Sequence, residues 1–204
     1  MSAAAVVVID SGGANLASLT YALDRLNARS IVSANPEVIG NAERVILPGV
    51  GNAGAIMERL ASLGLVSVIR GLRCPLLGIC LGMQILFERS AEGDTPTLGI
   101  IAGEVKAITP RDGVSVPHMG WNTLQVLRED PLLRGLDEQA WFYFVHGYYA
   151  PADSTAILAT VRHGEDMAGV VRQDNFYGVQ FHPERSARSG AQLLRNFLDL
   201  PACN

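Results

Sequence analysis

Lysine is almost missing from this chain. Fifteen of its sixteen basic residues are arginine and Lys106 is the sole lysine, which argues against a lysine nucleophile. An excess of positive charge is missing too. Only 18% of the 204 residues are charged and the net charge is −4. With a sequence pI of ≈ 5.5, the chain carries no electrostatic footprint for nucleic acid. Long apolar runs are lacking as well: no stretch reaches the roughly 18 residues that a membrane-spanning helix needs. The opening MSAAAVVVIDSGG has no basic segment ahead of its short apolar run, so it reads as a buried strand and not as a signal peptide. Cysteine is scarce. Cys74, Cys80 and Cys203 are odd in number and show no metal-ligand spacing. They are expected to be reduced thiols in a cytoplasmic protein, with no metal and no cofactor.

What the chain does have is an ordinary apolar share, 49%, arranged in a regular way. Continuous apolar runs at 4–10, 31–34, 44–49 and 75–80 read as strands covered on both faces. Between and after them, 15–27, 55–72 (broken near Gly64) and 81–89 have helical spacing. That alternation predicts an α/β fold with a doubly wound, largely parallel sheet. The second half changes character. Strands are expected at 99–108, 141–146, 156–161, 168–173 and 176–182, with short turns such as Gln173-Asp174-Asn175 marking antiparallel additions. A last helix at 187–200 carries Leu193, Leu194, Phe197 and Leu198. No linker or repeat interrupts the pattern, so residues 1–204 read as a single domain.

One short stretch stands apart. Residues 75–84, PLLGICLGMQ, put Cys80 between Gly78 and Gly82, where a strand gives way to a helix. A nucleophile elbow has this form, because side chains two positions either side of the sharp turn would collide. The turn lifts the sulfur to the end of the sheet, beside the first N–H groups of a helix, which favour thiolate over thiol. The N–H of Leu81 would then face a developing oxyanion. The same residues would also suit a small core cysteine between two packing glycines.

A cysteine nucleophile needs a base, and the base needs an orienter. Among four histidines, His163 lies in a polar turn, while His118 and His146 sit beside aromatic and apolar residues and read as structural. His182 ends the run FYGVQF and precedes Pro183 and Glu184. Proline biases His182 towards extended backbone, so residues 182 and 184 would project to one side and Glu184 would fix the imidazole. The loop Pro-Gly-Val-Gly at 48–51, one helix before the elbow strand, can border the same sheet edge.

LLGICLGMQ followed by VQFHPERS resembles the class I (triad) glutamine amidotransferases. With LPGVG at 47–51, VPHMGWN at 116–122 and YFVHGYY at 143–149, the chain is similar nearly end to end to the glutaminase subunits of imidazole glycerol phosphate synthases. The resemblance implies that Cys80 is the nucleophile, His182 the general base and acid, and Glu184 its orienter. Backbone of Gly49, Val50, Gly51 and Leu81 would form the oxyanion hole, and Gln84 and Glu92 would help hold substrate glutamine. Asn15, Trp121 and Arg185 would face the partner, a (β/α)8-barrel cyclase subunit that consumes the ammonia in histidine biosynthesis. Three departures from the family pattern are visible. DSGGANL replaces an aromatic-containing loop, Gly147 stands where a small hydroxyl residue is usual, and Arg185 stands where lysine is common. Two other readings share these residues: a glutaminase of another pathway or a stand-alone γ-glutamyl hydrolase, and a non-catalytic binding module.

Overall fold

The computed structural model describes residues 5–12 and 16–202. Asn15 and Cys203, named above, lie outside the described residues. Strands β1 (Ala5–Ile9), β2 (Arg29–Ser33), β3 (Val45–Gly49) and β4 (Leu76–Cys80) alternate with helices α1 (Leu16–Arg25), α2 (Pro36–Gly40), α3 (Ala53–Ser62) and α4 (Leu65–Arg70). After β4 come a short α5 (Leu81–Gln84), β5 (Phe87–Ser90), β6 (Thr95–Pro96), β7 (Ile101–Ala107), β8 (His118–Thr123) and β9 (Gln125–Val126). The chain continues with β10 (Trp141–His146), β11 (Tyr148–Tyr149), β12 (Ile157–His163), β13 (Glu165–Gln173), β14 (Phe176–Val179) and α6 (Ala187–Leu198).

An eight-stranded sheet runs in the order β2-β1-β3-β4-β14-β13-β12-β9. Its first five strands are parallel and its last three are antiparallel additions, as expected from the sequence. The uninterrupted apolar runs are explained by burial on two sides. Val6, Val8, Ile46 and Leu77 join α1 and α6 in one core, while Val7, Ile9, Val45 and Leu76 join α3 and α4 in the other. Local signals set the helix ends. The Asn52 side chain accepts the N–H of Ala55 to cap α3, and Gly64, at φ 68°, separates α3 from α4. Outside the main sheet, β8 and β10 pair as an antiparallel ribbon, and β11-β7-β5-β6 form a second small sheet.

The helix expected over 81–89 stops at Gln84, and Phe87–Ser90 forms a strand beside β7. Ile85, Leu86 and Phe87 are all buried, so a consecutive apolar run satisfied both periods and only the tertiary partner decided. The ribbon strand β8 was not anticipated, because HMGWNT lacks an apolar run.

Glycine demand is sharpest at the elbow. A Cβ on Gly82 would run into the Leu47 carbonyl, whereas one on Gly147 would meet nothing within 4 Å. Gly82→Ala is therefore expected to cost about 3 kcal/mol or prevent folding. Gly147→Ala should stay within about 0.5 kcal/mol. Urea unfolding of the two variants checks the contrast, and equal midpoints would contradict it.

Candidate active site

Cys80 ends β4 with φ 55° and ψ −112°, a conformation that costs a non-glycine residue about 1–3 kcal/mol. Its neighbours impose it. Cys80 lies beside Gly49 of β3, and Gly78 lies beside Gly178 of β14. A Cβ on Gly78 would come within 2.5 Å of the Gly82 carbonyl oxygen, so the chain can reverse here only with glycine at both positions. The sulfur lies 3.8 Å from the Val145 carbonyl oxygen and 3.8 Å from Gln180 Nε2. Because α5 is only four residues long, the helix dipole invoked from sequence is small. The stronger positive group is an imidazole.

That imidazole is His182. Its Nδ1 lies 2.9 Å from Glu184 Oε1, with the two side chains 8% and 4% exposed. His182 itself is extended, as its proline neighbour requires, but residues 183–185 turn into a single 3-10 turn. The two side chains meet through that turn and not along an extended strand. The N–H of His182 donates to the Tyr143 carbonyl at 2.9 Å. Ser186 Oγ donates to the His182 carbonyl at 2.7 Å and accepts the N–H of Tyr143 at 2.9 Å. Burial alone would push the His182 pKa down, but hydrogen bonds to Cys80 and to Glu184 overcome it and push it up to about 10. At neutral pH the ring is an imidazolium between a sulfur and a carboxylate.

Cys80 and His182 open into a cavity of about 450 Å³ bordered by Gly49, Val50, Gly51 and Leu81. Leu81 is the first residue of α5, so its N–H has no intrahelical acceptor. Gln84 and Glu92 also line it. Each has a structural tie: Gln84 Nε2 donates to the Tyr148 carbonyl at 2.7 Å, and Glu92 Oε2 accepts the N–H of Ala53 at 2.7 Å. Arg185 lies exposed at the same cavity's edge. Trp121 does not reach the cavity. It sits half exposed on the outer face of the β8/β10 ribbon, edge-on to Tyr143 at 5.9 Å. A larger cavity, about 690 Å³, lies near β9 and residues 129–142, with no cysteine or histidine on its walls.

Several contributors were not singled out from sequence. Ser11 is buried and donates from Oγ to the Pro48 carbonyl at 2.9 Å, tying the N-terminal loop to the 48–51 loop. Gln180 and Val145 touch the sulfur, and Ser186 braces His182. Gln180 and Ser186 stand in the same GVQFHPERS stretch that drew attention for His182, so position was legible and role was not. His118 and His146 are buried and bonded to each other, Nδ1 to Nε2 at 2.9 Å, as befits structural histidines. His163 is less solvated than its polar turn suggested: its ring stacks on His118 at 4.2 Å.

A protein-family model described as "Glutamine amidotransferase class-I" matches residues 7–200. The imidazole glycerol phosphate synthase subunit HisH of Xanthomonas euvesicatoria pv. vesicatoria is 52% identical over 195 residues, 96% of this chain and 97% of that one. The protein of the same name from Xylella fastidiosa (strain Temecula1) is 50% identical over 197 residues, 97% and 98% of the two chains. The crystal structure of a glutamine amidotransferase superposes with a TM-score of 0.72 at 22% identity, covering 94% of this chain and 96% of that chain.

Burial pushes the His118 pKa down to about 4 and that of His146 to about 3. Unfolded, both would titrate near 6.5. At these two rings the unfolded chain therefore binds more protons between pH 6.5 and 4, and their contribution to stability falls as pH falls, while His182, held at about 10, offsets part of that loss. From pH 6.5 to 5 the loss should be about 2 kcal/mol per ring. Urea midpoints at pH 7 and pH 5 test this. So do imidazole NMR shifts, where protonation of either ring above pH 6 in the folded state would contradict it.

Proposed function

The chain belongs to the class-I glutamine amidotransferase family, and from that membership we propose that it is the glutaminase subunit of an imidazole glycerol phosphate synthase. The observation that carries the chemistry is the strained Cys80 beside a buried His182–Glu184 pair on the wall of a cavity of small-molecule size. The Cys80 thiolate attacks the side-chain amide carbon of glutamine, forming a C–S bond and pushing the carbonyl electrons onto oxygen. N–H groups of Leu81 and the 49–51 loop receive that charge. His182 hands its proton to the departing nitrogen, the C–N bond breaks, and ammonia leaves a γ-glutamyl thioester. His182, now neutral, takes a proton from water as the hydroxyl oxygen attacks the thioester. Collapse returns the electron pair to sulfur and releases glutamate. Glu184 holds the ring in one tautomer and balances its charge throughout. Gln84 and Glu92, which line the same cavity, are assigned to hold the amino-acid end of the substrate.

Free ammonia would be protonated in bulk water, so this half-reaction makes sense beside an enzyme that consumes it. We assign that role to a (β/α)8-barrel cyclase subunit docked at the cavity mouth. The outer face of the β8/β10 ribbon supports this. Met119 and Trp121 stand there across from Val145 and Tyr143, Met119 is 61% exposed, and Val145 reaches into the cavity. Arg185 is assigned to the same interface. No helix among the described residues is long and apolar enough to cross a membrane, and we place the enzyme in the cytoplasm, acting as one domain.

Glutamate release should be low for the protein alone and should rise strongly with the cyclase subunit and its nucleotide acceptor. High activity alone, without response, would instead indicate a stand-alone hydrolase. No release in either mixture, with the partner bound, would indicate a binding module. In the stimulated complex Cys80→Ala should fall to background, and Glu184→Gln should lose about a hundredfold or more in kcat. Gly51→Ala tests the oxyanion loop. A Cβ there meets nothing within 4 Å, but φ is 93°, so the loop and not the core is disturbed. The stimulated rate should collapse while the unfolding free energy stays within about 1 kcal/mol of wild type; an unchanged stimulated rate would remove that loop from the oxyanion hole.

A further inference from the structure

Gln180 is completely buried two residues before His182, and no step above uses it. Its side chain bridges Gln84 and Cys80: Oε1 is 2.9 Å from Gln84 Nε2, and Nε2 is 3.8 Å from Cys80 Sγ. The two ends of an amide have nearly the same shape, so only its partners decide which end points where. Here one carbonyl decides both amides. The Tyr148 oxygen can only accept, so the Gln84 atom 2.7 Å away must be the NH2 group. Its second hydrogen then faces Gln180, whose near atom must be the carbonyl oxygen. The other end of Gln180, its NH2, is thereby turned onto the sulfur.

The Tyr148 carbonyl is itself held from the far side. It accepts from His146 Nδ1–H at 2.8 Å, which leaves His146 Nε2 to accept from His118 Nδ1–H at 2.9 Å. His118 Nε2 in turn lies 3.2 Å from the Asn122 side-chain nitrogen, a donor. Each link runs in one direction, and none can reverse without setting two donors or two acceptors face to face. On its other side the sulfur faces the Val145 carbonyl oxygen at 3.8 Å. A thiol can donate to that oxygen; a thiolate is repelled by it.

We propose that Gln180 holds the Cys80 thiolate with a side-chain N–H whose direction is dictated by the Tyr148 carbonyl through Gln84. It offsets the Val145 carbonyl in the resting enzyme. It also hydrogen-bonds the sulfur as the C–S electron pair returns there on collapse of the hydrolytic adduct, so it serves both ends of the cycle. The inference rests on Cys80 being the nucleophile, as proposed above.

Two substitutions separate this role from simple packing. Gln180→Met keeps the volume and removes the donor. Gln180→Glu keeps an acceptor for Gln84 but sets carboxylate oxygen against the sulfur. The full chain is treated with iodoacetamide across a pH series, and modification at Cys80 is followed by peptide mass mapping, apart from Cys74 and Cys203. At pH 7, Cys80 alkylation should be about tenfold slower in Gln180→Met and slower still in Gln180→Glu, with the difference from wild type shrinking as pH rises. In the complex with the cyclase subunit, kcat should fall about tenfold with KM within about threefold. Wild-type alkylation at pH 7 in either folded variant would overturn the proposal. So would a loss that is the same at every pH, since misplacement does not depend on protonation. If the wild-type protein releases no glutamate but the pH-dependent contrast is present, the glutaminase assignment fails and the role of Gln180 stands.

Discussion

The structure depends on one steric constraint, the reversal of the chain at Cys80. With φ at 55° the residue is held where a side chain is unwelcome. What holds it is the parallel sheet: β4 sits between β3 and β14 and cannot shift its register without breaking both ladders. Gly78, Gly82, Gly49 and Gly178 all face the bend, and each would press a Cβ onto a neighbour. Strain at Cys80 is thus stored against the most buried part of the fold, where yielding would cost more than the strain releases.

The same placement unites the two halves of the chain. The elbow comes from the doubly wound half, while the imidazole and its carboxylate come from the antiparallel half. They meet because β14 crosses back to lie parallel to β4 and ends at the same sheet edge. From there the chain turns at Pro183, and Ser186 locks that turn to β10 by bonding both His182 and Tyr143. Gly190 completes the lock, since a Cβ there would meet the Pro183 carbonyl. The position of His182 is therefore a consequence of strand order and helix packing, not of a flexible loop.

Much of this was readable from sequence, and the unread parts share a cause. The parallel half, its strand positions and the break at Gly64 followed from apolar period and glycine. The Cys80, His182 and Glu184 constellation followed from chemistry that needs those residue types together. The helix after the elbow was overextended, because Ile85-Leu86-Phe87 is a run that fits a buried helix or a buried strand equally. The β8 strand escaped notice since its HMGWNT residues pack through His118 and Asn122 and not through aliphatic side chains. Gln180 and Ser11 were passed over because a polar residue reveals its role only through its partners, and those lie 96 residues away in Gln84 and 37 away in Pro48.

Those polar partners also explain how one cavity holds two imidazoles of opposite state. His146 and His182 both border it. His182 has a carboxylate on one nitrogen and the Cys80 sulfur on its other side, and both hold the proton on the ring. His146 has a carbonyl on Nδ1 and a second imidazole on Nε2, a set of neighbours satisfied by one hydrogen in one place. A second proton there would leave His118 without an acceptor and would add a cation beside His182, whose charge lowers the His146 pKa further. Two cations in a small apolar cleft would compete for one thiolate and one carboxylate. By burying His146 beside another neutral ring, against the pull of its backbone partner, the fold leaves His182 as the protonated ring of the pair, and in the proposed cycle that proton is the one handed to the departing ammonia.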